Sequence, residues 1–204
     1  MEKTQQSEKV FEQYLTKHNI PFVRSYPLNG TNIDFLIQGH NGRLFCDVKE
    51  VRVVSHEGEI TAYKNIREDI RRLRNKFRAL APGLPVLLAT MNFSAQFFTG
   101  LTIARAMLGD IGIVFNKNSN ITLSQLHHLE KGNSALQEKK NTLISGILGY
   151  RFNAKHILFK NPFAKHEVPL NVLPETEVIS LDKSKSQVDI VQLSNIMFWP
   201  AETQ

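Results

Sequence analysis

Asp34, Asp47 and Lys49 are the residues whose types and spacing could carry out chemistry. Asp34 lies in the apolar stretch 32–37, and Asp47 and Lys49 lie two positions apart in the apolar stretch 44–51. Both stretches predict β-strands. Because successive side chains of a strand alternate between its two faces, Asp47 and Lys49 are expected to point to the same side.

The segment between these two strands predicts a tight hairpin. It contains His40, Asn41 and Gly42, and the Asn-Gly pair favours the positive φ angles of a type I′ turn. A hairpin at this position would fold Asp34 back towards Asp47. The sequence therefore predicts that two carboxylates and one ammonium group converge on strands that are otherwise apolar.

Such a convergence of charges suits one class of reaction. Two adjacent carboxylates repel each other, and one takes up a proton unless a cation lies between them. Oxygen-rich clusters suit Mg²⁺, which binds a few carboxylates and keeps several waters. A lysine beside the metal could orient a water or help to deprotonate it, and could offset charge on a phosphate, as metal-assisted phosphodiester hydrolysis requires. The alternative interpretation is an ordinary cross-strand ion pair of Asp47 and Lys49, since so short a pattern arises by chance.

The pattern resembles a known family of enzymes. Asp34, the hairpin and Asp47-Val48-Lys49 are similar to the core of the PD-(D/E)xK nuclease superfamily, which includes restriction endonucleases and archaeal-type Holliday junction resolvases. The upstream segment over residues 8–24, which contains Glu8, resembles the first helix and first strand of these enzymes. The whole resemblance covers about residues 7–90. The proline that gives the family its name is absent before Asp34, and Glu50 follows the lysine with no assigned role.

The resemblance implies an Mg²⁺-dependent endonuclease of restriction-endonuclease-like α/β fold, with a mixed β-sheet flanked by helices and a C-terminal extension. It implies that Asp34 and Asp47 bind Mg²⁺, for which Mn²⁺ would substitute, and that Val48 (through its carbonyl) and Glu8 complete the metal site. Lys49 would orient the attacking water and stabilise charge on the phosphate during in-line attack. DNA is the expected substrate, and a homodimer is expected where both strands are cut.

The carboxylate of the first helix has two candidates. A helix is predicted over about residues 4–18, capped by Thr4 or Ser7, with an apolar stripe that ends at Leu15. At 100° per residue, Glu8 falls at the border of that stripe, whereas Glu12 lies further towards solvent. Glu8 is therefore better placed to reach the site, although it could equally complement the dipole of the helix.

A second helix carries a strongly basic face. It is predicted from a capping box of Asn65 and Glu68 to about residue 81. Its apolar face consists of Ile66, Ile70, Leu73, Phe77 and Leu80. Beside that face lie the predicted nucleic-acid-binding residues Lys64, Arg67, Arg71, Arg74 and Arg78. Arginines on one stripe repel one another unless anions are near, and arginine suits phosphate. The alternative is a solvated polar face.

Composition sets limits on the class of protein. The 204 residues suit one domain, divided into a core of about 7–115 and an elaboration of about 116–204. The formal net charge of +6 favours polyanionic partners. Cys46 is the single cysteine, so an intrachain disulfide framework is excluded and a packed thiol facing away from Asp47 is expected. No apolar leader or membrane-spanning stretch is visible, which predicts a cytoplasmic protein without a membrane partner.

The rest of the chain gives weaker predictions. A central strand over 84–89 should pair in parallel with the second strand of the hairpin, because a helix connects them. Further predictions are a helix over 97–108, strands over 111–115 and 155–160, and a strand or short helix over 188–198. Residues 123–136 and 141–148 are helical or irregular. The adjacent His127 and His128 would diverge by about 100° on a helix, which disfavours a metal pair.

Two alternative functions remain open. One is a nucleic-acid-binding protein that keeps the fold without catalysis. The other is a protein-interaction factor in conflict between phage and host, whose arginine helix binds an acidic protein. The residues do not distinguish DNA from RNA as the nucleic acid.

Overall fold

The structure is a computed structural model, and it describes residues 5–39, 42–51, 58–78, 83–93, 97–109, 111–113, 126–128, 142–152, 154–169, 172–180, 187–188, 193 and 195–199. Three helices and twelve strands are present in these ranges. They are, in order, α1 (Gln6–Lys17), β1 (Phe22–Leu28), β2 (Thr31–Gly39), β3 (Gly42–Val51), α2 (Gly58–Arg78), β4 (Val86–Asn92), β5 (Phe98–Thr99), α3 (Gly100–Leu108), β6 (Ile111–Ile113), β7 (Leu126–His128), β8 (Ile144–Gly149), β9 (His156–Lys160), β10 (Thr176–Ser180), β11 (Gln187–Val188) and β12 (Met197–Phe198).

A seven-stranded mixed sheet in the order β1-β2-β3-β4-β8-β9-β10 forms the centre of the protein. β1, β2 and β3 pair antiparallel. β4 then pairs in parallel with β3 and with β8, as expected for a strand that follows the crossover helix α2. The predicted α/β fold with a mixed sheet flanked by helices is thereby confirmed. Two small sheets lie outside it, in the orders β11-β7-β6 and β12-β5.

The two faces of the sheet are covered by different helices. On β3, Phe45 packs in a buried cluster with residues of α2 and α3. Its neighbours Cys46 and Val48 pack in a second cluster with residues of α1. The side chains of β3 therefore alternate between α2 on one face and α1 on the other. Cys46 is fully buried on the α1 face, and burial raises the pKa of its thiol well above the ordinary value, so it is a packed thiol as predicted.

Helix α2 begins earlier than the sequence predicted. It starts at Gly58, so Asn65 and Glu68 lie within the helix and the predicted capping box is wrong. The physical reason is that the apolar spacing of threes and fours continues upstream through Ala62 and Tyr63, which are buried. The predicted apolar face is otherwise confirmed by the burial of Ile66, Ile70, Leu73 and Phe77. Leu80 lies outside the described residues.

Helix α1 packs its predicted stripe on the other face. Phe11 and Leu15 are fully buried. The residue that precedes the helix is Gln5, and Ser7 lies within the first turn, so Ser7 as a cap is wrong. The N-terminal turn is instead attached to the sheet, because the backbone N–H of Ser7 donates to Glu50 Oε1 at 3.3 Å. Glu50 thus acquires a structural role that the sequence did not assign.

The chain after residue 116 completes the sheet. β8 lies in its interior between β4 and β9, where the sequence predicted a helical or irregular segment. All six of its residues are buried, and a short run of buried residues has no periodicity to distinguish a strand from a helix. The strand predicted over 155–160 is confirmed as β9, and the helix predicted over 97–108 begins with the short strand β5. None of the described helices combines the length and apolar character needed to cross a membrane.

We predict that Gly146→Ala destabilises the protein. A Cβ at this position would lie 2.7 Å from the carbonyl oxygen of Phe159, which is backbone of the neighbouring strand β9. Overpacking of this kind costs about 1–3 kcal/mol, and a chain of this size loses roughly 2–4 °C in Tm for each kcal/mol. Gly83→Ala is the matched control, since nothing lies within 4 Å of a Cβ there. Thermal unfolding followed by circular dichroism checks both; equal Tm values for the two variants would contradict the prediction.

Candidate active site

Asp34 and Asp47 lie side by side on the paired strands β2 and β3. Phe35 pairs with Cys46. Asp34, the residue before Phe35, therefore lies next to Asp47, the residue after Cys46. The backbone N–H of Asp34 is 3.4 Å from Asp47 Oδ1, and the backbone N–H of Val48 donates to Asp34 Oδ2 at 2.8 Å. The predicted approach of the two acids is therefore confirmed. Gly39 pairs with Gly42; the predicted turn residues His40 and Asn41 lie outside the described residues.

The ammonium group of Lys49 joins the two carboxylates. Its Nζ lies 3.5 Å from Asp34 Oδ2 and 3.9 Å from Asp47 Oδ2. Lys49 thus points to the same side of β3 as Asp47, as the alternation of a strand predicts. Val48 holds the carboxylate of Asp34 through its N–H, and a role for its carbonyl oxygen as a metal ligand stays a prediction.

A second lysine, which the sequence reasoning did not place at the site, binds Asp47 from helix α2. Lys76 Nζ lies 2.8 Å from both carboxylate oxygens of Asp47. Asp47 is only 2% exposed. Lys76 lies on the helix that carries the predicted arginine face. Its spacing carried the signal: Lys76 follows Leu73 by three residues, which places it at the border of the buried stripe rather than opposite to it.

Asp69 is a third acid at the site that was not predicted. Burial raises the pKa of Asp69 to about 6, although the nearby cations of Lys49 and Arg72 oppose the rise. Asp69 precedes Lys76 by seven residues, which is two helical turns, so both lie on the same side of α2. Helix α2 therefore supplies one acid and one lysine to the group formed by β2 and β3.

Glu8 approaches the site from helix α1. Burial and the charge of Asp34 raise the pKa of Glu8. Its carboxylate binds Arg24 at 3.2 Å, and Arg24 also binds Glu12 at 2.9 Å. The Glu12 side chain is the more exposed of the two, at 35% against 20%. Glu8 is thus the better placed helix carboxylate, and Arg24 is a cation near the site that the sequence reasoning overlooked.

The charges determine the protonation states at neutral pH. Burial and the charge of Asp34 raise the pKa of Asp47, while Lys76 and Lys49 oppose that rise. Burial alone would lower the pKa of Lys49, but the carboxylates of Asp34 and Asp47 outweigh it and hold the pKa above its ordinary value. Lys49 is therefore an ammonium ion at neutral pH. It can donate hydrogen bonds and stabilise negative charge, but it cannot accept a proton from water.

The donor set fits a hard cation in part. Mg²⁺ is commonly held by one or two carboxylates and keeps several waters, and Asp34 and Asp47 supply two carboxylates that share one ammonium neighbour. Within the described residues, however, no group of three or more His, Cys, Asp or Glu side chains is arranged to hold a metal ion. Both oxygens of Asp47 also contact Lys76. An ion at Asp47 would therefore require Lys76 to move.

The predicted arginine face divides into two groups. Arg67 packs on Tyr63, donating to its hydroxyl at 2.6 Å with the guanidinium 5.6 Å from the ring centre. Arg74 donates to the side chain of Asn75. Lys64, Arg71 and Arg78 are exposed. Arg67 thus has a packing role, and the exposed three are the better candidates for contact with phosphates. Their binding of nucleic acid stays a prediction.

We predict that Asp69→Asn stabilises the protein above neutral pH. The pKa of Asp69 is raised in the fold to about 6 from an ordinary value of 3.8. Ionised Asp69 is therefore disfavoured in the fold, and this penalty appears as the pH rises through 6 and vanishes below 3.8. Because the site is partly solvated, we expect a gain of about 1 kcal/mol, or roughly 2–4 °C in Tm.

Thermal unfolding at pH 8 and at pH 4 checks this expectation. The difference in Tm between Asp69→Asn and the natural chain should be fully present at pH 8 and much smaller at pH 4. Glu177→Gln is the control, since Glu177 is an exposed acid on β10. A gain that persists unchanged at pH 4 would point to a cause other than ionisation.

We predict that Lys76→Met destabilises the protein. Truncating one partner of a buried pair leaves the other charge uncompensated. Since Lys49 stays within 3.9 Å of Asp47, we expect a loss of about 1–3 kcal/mol, the range for a charged hydrogen bond. Urea unfolding measures the loss, and the exposed Lys9 supplies the control variant Lys9→Met. A double variant with Asp47→Asn should recover part of the loss; no recovery would show that the pair is not its cause.

The candidate site stands on geometry alone. In comparisons with protein-family models, with curated proteins and with solved structures, no match to this chain was found. The grouping of Asp34, Asp47 and Lys49 on adjacent strands is thus an observation about this molecule. The resemblance to the PD-(D/E)xK superfamily stays an interpretation of these residues.

Proposed function

We propose that this protein is an Mg²⁺-dependent nuclease that hydrolyses phosphodiester bonds, with DNA as the favoured substrate. The observation that carries the proposal is the position of Lys49. Its ammonium lies within 3.9 Å of carboxylates on two adjacent strands, Asp34 at 3.5 Å and Asp47 at 3.9 Å. Two carboxylates and a lysine at one point are the groups that metal-assisted attack on a phosphate needs.

Each side chain would have a distinct task. Asp34 and Asp47 would hold the ion once Lys76 has moved away from Asp47, and Glu8 would contact the ion directly or through a water. The Val48 N–H fixes the carboxylate of Asp34, so that this ligand is oriented before any ion binds. When bound, Mg²⁺ would lower the pKa of a coordinated water and neutralise charge on the phosphate.

Lys49 would act on the substrate as a cation. In the metal-free protein the carboxylates hold the pKa of Lys49 above its ordinary value, so its Nζ carries its protons at neutral pH before an ion binds. It would donate to the attacking water or to an oxygen of the phosphate, where negative charge develops during in-line attack. The proton of the water would then pass to solvent or to the phosphate, and not to Lys49.

Substrate binding would use charge rather than shape. The net charge of +6 favours a polyanion. Arg71 and Arg78 are exposed on the same helix that delivers Lys76 to the site. Arg71 and Arg78 would contact the phosphates of a nucleic-acid backbone along that helix.

A second candidate function has a specific observation in its favour. Both oxygens of Asp47 contact Lys76 at 2.8 Å, so the protein neutralises this carboxylate without any metal. No cluster of three metal-ligating side chains occurs in the described ranges either. Both features suit a nucleic-acid-binding protein that keeps this arrangement as a structural ion pair.

Cleavage of supercoiled plasmid distinguishes the two candidates. With Mg²⁺ or Mn²⁺ we expect nicking that EDTA abolishes and that Lys49→Ala lowers by about 100- to 1,000-fold, the range for loss of one preorganised electrostatic contact. Asp34→Asn should lose activity as well. Lys9→Ala is the matched control, because Lys9 is an exposed lysine outside the site.

The other outcomes identify the alternatives. Retention of plasmid in a gel shift, without cleavage under any metal, supports the non-catalytic binding protein. Neither binding nor cleavage contradicts both candidates and favours a protein partner for the basic helix. Binding to DNA should weaken steeply with salt, since counterions are released from each phosphate contacted. The same assay with single-stranded RNA determines which nucleic acid is preferred.

A further inference from the structure

A cavity of about 830 Å³ lies beside helix α1 and contains none of the candidate catalytic residues. One side of it is a row of α1 residues that includes Gln6, Val10 and Lys17. The other side begins at Phe93, directly after β4, and at Tyr150, directly after β8. The cavity therefore lies where two parallel strands end, which is a common position for ligand sites in α/β sheets.

Aromatic rings line this cavity. Phe152 packs edge-on against Phe93, with ring centres 5.6 Å apart, and against Tyr150, with ring centres 5.3 Å apart. All three rings are only partly buried, so each keeps surface open to the cavity. Flat apolar surface of this kind binds flat ring systems by stacking.

A buried polar nitrogen without a partner also lines the cavity. His156 is 4% exposed, and its ring stacks on Tyr150 with centres 4.1 Å apart. Its Nδ1 accepts a hydrogen bond from the Arg151 backbone N–H at 3.2 Å. Its Nε2 has no hydrogen-bond partner among the described residues. Burial lowers the pKa of His156 to about 4, so the ring is neutral and Nε2 carries its proton.

The Nε2–H of His156 is a hydrogen-bond donor without an acceptor among the described residues. Leaving a buried donor unpaired costs about 1–3 kcal/mol, and proteins rarely tolerate such a group without a reason. An acceptor atom on a planar ligand would remove that cost. Nucleobases carry ring nitrogens and carbonyl oxygens that accept hydrogen bonds.

Positive charge surrounds the opening. Lys17, Arg151 and Lys155 line the cavity, against the single acid Glu175. Lys17 and Lys155 are exposed and form no ion pair with any residue that the structure describes. Glu175 lies 3.6 Å from His18 Nε2. An anionic group next to a flat ring would therefore meet unpaired ammonium groups.

We propose that this cavity binds a nucleotide, with its base stacked on the ring of Phe152, which Phe93 and Tyr150 support edge-on, and its phosphate at the lysines. The Nε2 of His156 has almost no accessible surface in the free protein, so its N–H would reach an acceptor on the base only after a small shift of the surrounding rings. The ligand is a nucleobase that carries a phosphate, and it could be a free mononucleotide or the terminal nucleotide of a strand. The inference does not depend on the proposed nuclease activity, because no residue of that site lines the cavity.

Titration calorimetry with adenosine 5′-monophosphate and the full chain tests the proposal. We expect binding of the nucleotide, and binding at least about 10-fold weaker for adenosine and for ribose 5-phosphate, since each lacks one of the two recognised groups. Phe152→Ala should weaken binding by about 5- to 150-fold, the range for loss of one stacking contact. A variant with both Lys17→Ala and Lys155→Ala should weaken it through the phosphate.

The controls separate this cavity from the rest of the molecule. Lys9→Ala removes another exposed lysine of α1, one that does not line the cavity, and should leave the affinity unchanged. The two lysines are exposed, so the double variant keeps the test valid even if Phe152→Ala folds poorly.

The source of the nucleotide follows from a competition experiment. A 5′-phosphorylated pentadeoxyadenylate that displaces adenosine 5′-monophosphate identifies a strand end as the ligand; nucleotide binding without displacement identifies a free nucleotide. The proposal is overturned if no probe binds at millimolar concentration. It is equally overturned if binding is insensitive to both cavity variants.

Discussion

The buried carboxylate of Asp47 is the constraint on which the arrangement of β3 and α2 depends. At 2% exposure this group has lost most of its water, and an ionised carboxylate is costly to bury without a counter-charge. Lys76 contacts both of its oxygens, and Lys49 lies on its other side. Helix α2 can therefore rotate little about its axis without breaking this pair, and its apolar face is held on the sheet by charge as well as by packing.

The division of β3 into two faces explains why the site and the core can occupy the same strand. Phe45, Asp47 and Lys49 lie on the α2 face, and Cys46 and Val48 lie on the α1 face. On the α2 face, Phe45 makes apolar contacts, whereas Asp47 and Lys49, further along the strand, make charged contacts. Helix α1, in turn, connects both parts of the protein for which a function is proposed, since Glu8 approaches Asp34 while Lys17 lines the aromatic cavity.

The convergence of Asp34, Asp47 and Lys49 was predictable because it depends on local rules: the period of a strand, a short hairpin and alternation of faces. The contact of Lys76 with Asp47 was missed although its spacing from Leu73 placed it at the border of the buried stripe, because the contact depends on how α2 packs against β3. The apparent capping box at Asn65 also misplaced the start of the helix, which is at Gly58. β8 was missed for a different reason. Its fully buried residues carry no contrast between polar and apolar positions, and pairing with distant strands decided its conformation.

The alternation of β3 has a consequence for variation in the chain. If β3 slipped by a single residue against β2, every one of its side chains would change sides. Val48 would then meet the ammonium of Lys76, and Asp47 would enter the apolar layer around Phe11 and Leu15. Insertions or deletions of one residue within the strand are thus excluded by electrostatics. Changes in length confined to the positions between Gly39 and Gly42 would leave this parity intact.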